Sequence, residues 1–232
     1  MTVWQLVCTG PSAGRWPISS NAKVATVNAG YQILGTRRPD AYGLFELTAA
    51  KTYRDSARRA IRSGAKMFMR PRAVSRSGQG DKADRIILVD NQFGPESLRH
   101  LHQDVQWKPE GGDPEFGQTC AWITSGVLML WILLETEKPE AVFVTGLDGY
   151  PEHAKDEDYS LGLIPAIDLD KGDDWKRRRA EINKRALQGL RELSHYYAST
   201  DIIFLEEPNH DLTGVRARIA TPDDLRLLYS KE

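Results

Sequence analysis

Two segments far apart in the chain share one pattern, Val7-Cys8-Thr9-Gly10-Pro11-Ser12 and Val144-Thr145-Gly146-Leu147-Asp148-Gly149-Tyr150. In each, an apolar run gives way to glycine and then to a side chain able to hydrogen-bond. A third segment, Thr124-Ser125-Gly126, opens an apolar stretch with helical character. Glycine at such junctions lets backbone N–H groups come close to a phosphate or a ribose, and the first turn of a helix adds a favourable dipole. Together the three segments suggest a nucleotide held across the carboxyl edge of a parallel sheet.

Each residue also has an ordinary structural role. Gly10 allows close backbone approach and Ser12 offers a hydroxyl to phosphate, yet Gly-Pro-Ser through Pro11 is also a common turn. Asn28, at the end of the run Lys23–Asn28, can bond a phosphate or sugar hydroxyl, or cap a turn. Thr124 and Ser125 are N-cap candidates whose helix presents free N–H groups at Gly126. Asp148 and Tyr150, past Gly146, stand where ligands gather in such sheets; the alternative is a turn with an aromatic plug.

The elements that must position these residues alternate in type. Val3–Thr9, Lys23–Asn28, Lys66–Met69, Arg85–Val89, Glu140–Thr145 and Asp201–Leu205 read as strands, short apolar runs that suit burial on both faces. Phe45–Ser63 has helical spacing, with Leu47, Ala50, Tyr53, Ala57 and Ile61 on one face and Gly64 as its stop. Ser125–Glu135, Trp175–Tyr197 and Pro222–Tyr229 read as further helices. Two polar excursions, 94–117 and 151–174, have no clear period and read as lid or acceptor loops. The expected fold is α/β: a single Rossmann-like domain over 1–232 with a mostly parallel sheet.

Composition adds bounds. With 232 residues, 27% charged and 41% hydrophobic, the chain can bury a sizeable core and is not disordered by composition. Its net charge of −1 makes any charge argument local. Cys8 and Cys120 give neither a metal pattern nor a disulfide framework, and Cys8 reads as a small buried thiol. Residues 1–5 lack the basic and apolar regions of a secretion signal, and the apolar run Val127–Leu134 is too short to span a membrane. A cytoplasmic location with no membrane span is the expectation.

In their order, Thr9-Gly10-Pro11-Ser12, Asn28, Thr124-Ser125-Gly126 and Gly146-Leu147-Asp148-Gly149-Tyr150 resemble the motifs of the sialyltransferase-like glycosyltransferases. The likeness is to the compact bacterial ones that use CMP-sialic acid, and it runs over about residues 3 to 206. It implies a GT-A-variant, Rossmann-like domain in which these segments bind a nucleotide-sugar with no obligatory metal. Two departures stand out. The family's first asparagine falls at Thr9, which opens the donor to CMP-, UDP- or GDP-linked sugars. The family's histidine base, in the loop before the last long helix, has no counterpart in Asp168–Trp175. A carboxylate can take the acceptor's proton, so Asp173 and Asp174 are the substitutes, with His153 as competitor; N-capping of the helix at Trp175 is the other role for the aspartates.

Asp168-Leu169-Asp170 has the Asp-x-Asp form that suits a divalent cation, but this form is frequent in acidic loops, and no metal is assigned. His100 and His102 read as surface residues, and His195 and His210 as solvated or packing ones. Between Arg54 and Arg85 there are ten basic residues and three acidic ones, including the loop with Arg70, Arg72 and Arg76; Lys176 and Arg177 begin a second cluster. Such clusters suit a polyanionic acceptor, or a merely solvated surface. The functional expectation is therefore a nucleotide-sugar-dependent glycosyltransferase. The favoured acceptor is a hydroxymethylated base in DNA, as in phage DNA modification. A glycan or lipid-linked glycan is the alternative acceptor, and a non-catalytic nucleotide- or nucleic-acid-binding protein of the same fold is the alternative class.

Overall fold

The structure, a computed structural model, describes residues 2–10, 12–45, 51–71, 73–74, 86–102, 104–107, 118–121, 123–148, 172–208 and 211–230, with the backbone alone in 51–53, 104–107, 118–121 and 172–179. Strands β1 (Val3–Val7), β2 (Lys23–Val27), β3 (Ala41–Leu44), β4 (Lys66–Met69), β5 (Ile86–Leu88), β8 (Ala141–Thr145), β9 (Asp201–Phe204) and β10 (Arg218–Ile219) form one sheet in the order β10-β9-β8-β1-β2-β3-β4-β5. All its neighbours are parallel. Strands β6 (Asp104–Trp107) and β7 (Gln118–Ala121) pair antiparallel in a separate two-stranded sheet.

The residues of the inner strands are buried on both faces because helices cover both, while those of the edge strands β5 and β10 are exposed or half-buried. Helix α2 (Ser125–Thr136) is buried without interruption from Gly126 to Leu134. A helix apolar all round needs cover on every side. The sheet lies beneath it, through Leu6, Ala25 and Val144. Helix α3 (Gly172–Tyr196) covers it through Ala186, Leu190 and Leu193, and residues 93–102 cover the rest. On the opposite face α1 (Lys51–Ser63) packs Ala57, Ala60 and Ile61 against Tyr42, Leu44 and Met67. Helix α4 (Pro222–Tyr229) sets Leu228 against Phe143, Ile203 and Leu205. The fold is the α/β, Rossmann-like arrangement anticipated above.

Chain order fixes where a ligand can lie. After β1 the chain moves outward through β2, β3, β4 and β5, then returns to place β8 on the other side of β1 and moves outward again through β9 and β10. The order reverses between β1 and β8. The carboxyl edge at this switch point is where open α/β sheets take their ligands.

Several expected elements shift. Strand β3 is absent from the sequence reading, because four residues with a glycine at 43 carry little periodicity. The helix expected over Phe45–Ser63 is described from Lys51; 46–50 lie outside the described residues. The segment 94–117, read as loop, contains a 3₁₀ helix at Glu96–His102 with Leu98, Leu101 and His102 buried, and then β6. The long helix begins at Gly172, so Asp173 and Asp174 lie in its first turn and do not cap a helix starting at Trp175. Residues 151–171 lie outside the described residues. Among the described residues, no helix is long and apolar enough to cross a membrane.

Because α2 is enclosed on all sides, truncation inside it opens a cavity that cannot collapse. Leu128→Ala is expected to lower stability in urea denaturation by about 2–5 kcal/mol, whereas Leu227→Ala, on exposed α4 surface, should stay within about 0.5 kcal/mol. Equal effects would contradict the packing of α2 described here.

Candidate functional site

The two glycine-bearing loops meet at the crevice. Pairing of β1 with β8 continues one step past the strands, with Cys8 N–H donating to the Thr145 carbonyl at 2.9 Å and Gly10 N–H to the Gly146 carbonyl at 2.9 Å. Beyond that point side chains take over. The Asp148 carboxylate accepts from Ser12 N–H at 2.7 Å and from the Ser12 hydroxyl at 2.6 Å. The Ser12 oxygen in turn accepts from Gly146 N–H at 2.8 Å, and the Thr145 hydroxyl donates to the Ser12 carbonyl at 3.2 Å. Ser12 and Asp148 are both buried.

This clasp explains the glycines. Gly146 has φ +73, the left-handed region, and a Cβ there would lie 2.6 Å from the Cys8 carbonyl oxygen. A Cβ on Gly10 would lie 2.6 Å from the Gly146 carbonyl oxygen and 2.7 Å from the Asp148 carboxylate. The glycines permit loop-to-loop contact first. The N–H groups of Gly10, Ser12, Ala13 and Gly146 are all engaged within the clasp, and Pro11, itself outside the described residues, has no N–H. This loop differs from a phosphate cradle, where such groups stay free for the ligand.

The groups left for a ligand lie beside the clasp. Helix α2 starts against it: a Cβ on Gly126 would meet Leu147 Cδ1 at 2.6 Å and Cys8 Sγ at 2.7 Å. Its N-cap residue Thr124 is extended (φ −66, ψ 157) and makes no side-chain cap bond, and its hydroxyl oxygen is buried without a hydrogen-bond partner. First-turn N–H groups have no partner within a helix, and the Thr124 side chain caps neither Gly126 nor Val127, both of which are buried. Thr9, half-buried, makes no hydrogen bond among the described residues.

Asn28 is buried at the end of β2 with φ 49, a conformation asparagine tolerates better than most residues. Its Oδ1 accepts from Phe45 N–H at 3.4 Å, and its carbonyl accepts the Tyr42 hydroxyl. Its side chain thus turns toward the exit of β3. Arg70, grouped above with an acceptor loop, donates to the His102 carbonyl at 3.2 Å and holds the 3₁₀ segment. Arg72, Arg76, Tyr150 and His153 lie outside the described residues. Asp173, Asp174, Lys176 and Arg177 have described backbone only, in the first turns of α3.

Reading His102 as a surface residue is corrected by the fold. It is 2% exposed, Nε2–H donates to the Phe93 carbonyl at 3.1 Å, and its ring lies 5.0 Å from that of Trp131. Burial lowers its pKa and Arg70 adds to this, partly offset by the Phe93 carbonyl, which favours neutral imidazole. The Cys8 thiol is pushed well above its ordinary range, first by burial and then by the charge of Asp148. Sequence reasoning missed two supports of the first loop. Glu206, at the exit of β9, accepts from Arg15 at 3.1 Å and from Trp16 Nε1–H at 3.3 Å. Gln5, buried in β1, donates to the Pro17 carbonyl and accepts from Ser19 N–H. The polar step after the apolar run Ile202–Leu205 was the available signal for Glu206.

Among the described residues, no group of three or more His, Cys, Asp or Glu is poised to hold a metal ion. No family model, curated protein or solved structure matches the chain. What the arrangement can do chemically is offer an anion the positive end of α2 and the half-buried Thr9, beside a floor braced by Ser12 and Asp148.

Two outcomes are expected. Ser12→Ala and Asp148→Ala should each cost roughly 1–3 kcal/mol, and the double variant should cost less than their sum by about 0.5–3 kcal/mol; strict additivity in urea denaturation would deny the clasp. Iodoacetamide at pH 8 should leave Cys8 unmodified in the folded protein by peptide mapping and alkylate it in denaturant, since only the thiolate reacts. Ready native alkylation would show that the thiol is neither buried nor suppressed.

Proposed function

We propose that the protein is a nucleotide-sugar-dependent glycosyltransferase that binds its donor at the carboxyl edge of β1 and β8. The observation that carries this reading is the convergence of the Gly10–Ser12 and Gly146–Asp148 loops with the uncapped N-terminus of α2 at the sheet's switch point. In this reading the positive end of α2 and Thr9 face the phosphate and sugar. Gly10, Ser12, Gly146 and Asp148 shape the floor. The sugar class rests on the resemblance of these motifs to the sialyltransferase-like enzymes.

The reaction is a single displacement. An acceptor hydroxyl attacks the anomeric carbon, the bond from that carbon to the donor phosphate breaks, and the nucleotide leaves carrying the electron pair. The acceptor proton passes to a carboxylate or imidazole, for which Asp173, Asp174 and His153 are the candidates. Negative charge building on the departing phosphate is stabilised by the helix N-terminus. The acceptor we favour is a hydroxymethylated base in DNA, because the basic residues of 54–85 and 176–179 are concentrated in a chain whose net charge is −1. Reaching a base hydroxyl requires taking the base out of the stack.

The test is nucleotide release from CMP-, UDP- and GDP-sugars by the pure protein, with and without EDTA and with hydroxymethylated duplex DNA. Release from one donor, stimulated by that DNA and unaffected by EDTA, is the expected result. Release without a DNA effect would move the acceptor to glycans, and binding without release would leave a nucleotide-binding protein of the same fold. With turnover established, Asp173→Ala, Asp174→Ala and His153→Ala identify the base: its loss should lower kcat by about 10²–10⁴-fold, while the other two variants stay near wild type.

A further inference from the structure

Helix α1 carries a stripe of arginine that its own folding does not favour. Of its thirteen residues, Lys51, Arg54, Arg58, Arg59 and Arg62 are basic and Asp55 alone is acidic. Arg54, Arg58 and Arg62 repeat at intervals of four, the spacing that stacks side chains on one face, and like charges so placed destabilise a helix. No acid occupies the first turn, where the macrodipole favours one. All four arginines are exposed. The one ion pair among them is Arg58–Asp55 at 3.6 Å, while the Arg59 guanidinium lies 5.5 Å from the Tyr31 ring. Arg54 and Arg62 have no ion pair among the described residues. Arg62 suits the last turn and Arg58 has Asp55, but three arginines at intervals of four remain a local repulsion of the kind that marks function.

The helix's position gives the stripe a direction. α1 joins the carboxyl end of β3 to the amino end of β4, so its first turn stands at the sheet edge that carries the clasp. From there the arginines descend the flank for about 12 Å. The inner face, Ala57, Ala60 and Ile61, is consumed by the core. The outer face therefore offers no apolar residues to insert into lipid, as a membrane-surface helix would. Four guanidinium forks, and no lysine after Lys51, suit paired hydrogen bonds to phosphate oxygens.

We infer that the outer face of α1 (Arg54, Arg58, Arg59, Arg62) is a binding surface for the phosphate backbone of nucleic acid, leading toward the crevice at β1 and β8. It contacts phosphates and not base edges, so it contributes affinity and register without sequence preference. The inference deepens the acceptor half of the proposed function and rests on it for its purpose, but not on the identity of the donor.

The experiment measures binding of a fluorescein-labelled 30-base-pair duplex by anisotropy between 50 and 200 mM salt. It compares wild type with Arg54→Glu/Arg58→Glu/Arg62→Glu and with the corresponding triple lysine variant. Thermal denaturation and affinity for CMP, UDP and GDP are followed in parallel. The expected result is a loss of more than tenfold in DNA affinity for the glutamate variant, with the log–log salt slope shallower by about 0.9 per phosphate contact removed. The lysine variant should retain affinity within a few-fold. Nucleotide affinity should be unchanged in both, which separates a lost DNA contact from a lost fold whatever the glutamate variant's melting temperature. Unchanged DNA affinity in the glutamate variant would overturn the inference. So would wild type that binds nucleotide but not DNA, or that binds phosphatidylserine vesicles in preference to DNA. Absence of binding to any nucleotide, with DNA binding intact, would instead count against the donor reading and leave this surface standing.

Discussion

The interaction on which the rest of the crevice depends is the Asp148 carboxylate gripping Ser12. It joins the two loops that leave β1 and β8 at the switch point. The carboxylate takes both the backbone and side-chain donors of one residue, and the Ser12 oxygen takes a donor back from Gly146. Charge-assisted bonds of this kind are among the stronger ones in a folded chain, and the local burial leaves water little chance to compete. Cys8 feels the same charge, which is one reason its thiol is held protonated.

From that grip the division of labour follows. Gly10 and Gly146 are glycines because any side chain would push the loops apart. Glu206 steadies the next turn through Arg15 and Trp16, and Gln5 fixes the chain after it at Pro17 and Ser19. The loops form a rigid wall, and the groups available to a ligand are on the elements that rest against it. A site assembled this way is preorganised: its donors are held by packing and need not be ordered when a ligand arrives.

Much of this was readable from sequence, for reasons visible in particular residues. Continuous apolar runs such as Val142–Val144 and Ile202–Phe204 report strands buried on two faces, so the α/β class and most strands could be placed. Gly64 and the Pro222–Tyr229 helix, with its Thr221 cap, carry local signals strong enough to fix boundaries. Ala41–Leu44 carries none, since it owes its strand conformation to the neighbours β2 and β4. In the candidate site, sequence brought together the right segments but not their roles. Ser12 and Asp148 are polar residues at strand exits, and nothing in their own neighbourhoods says that they face each other across 136 positions. His102 looked like a loop histidine because its burial comes from Trp131 and Phe93, one of them far along the chain.

The long separations have a consequence for how the molecule is made. Strand β1 is made more than a hundred residues before its partner β8, and α4, whose Leu228 carbonyl accepts the Ser19 hydroxyl, comes later still. A fold dominated by such remote pairings closes slowly. Until β8 arrives, one side of β1 is an unsatisfied apolar edge, open to pairing with another nascent chain. The arrangement that holds the two loops rigidly together in the mature fold is thus the same one that leaves an edge of β1 exposed until β8 is made.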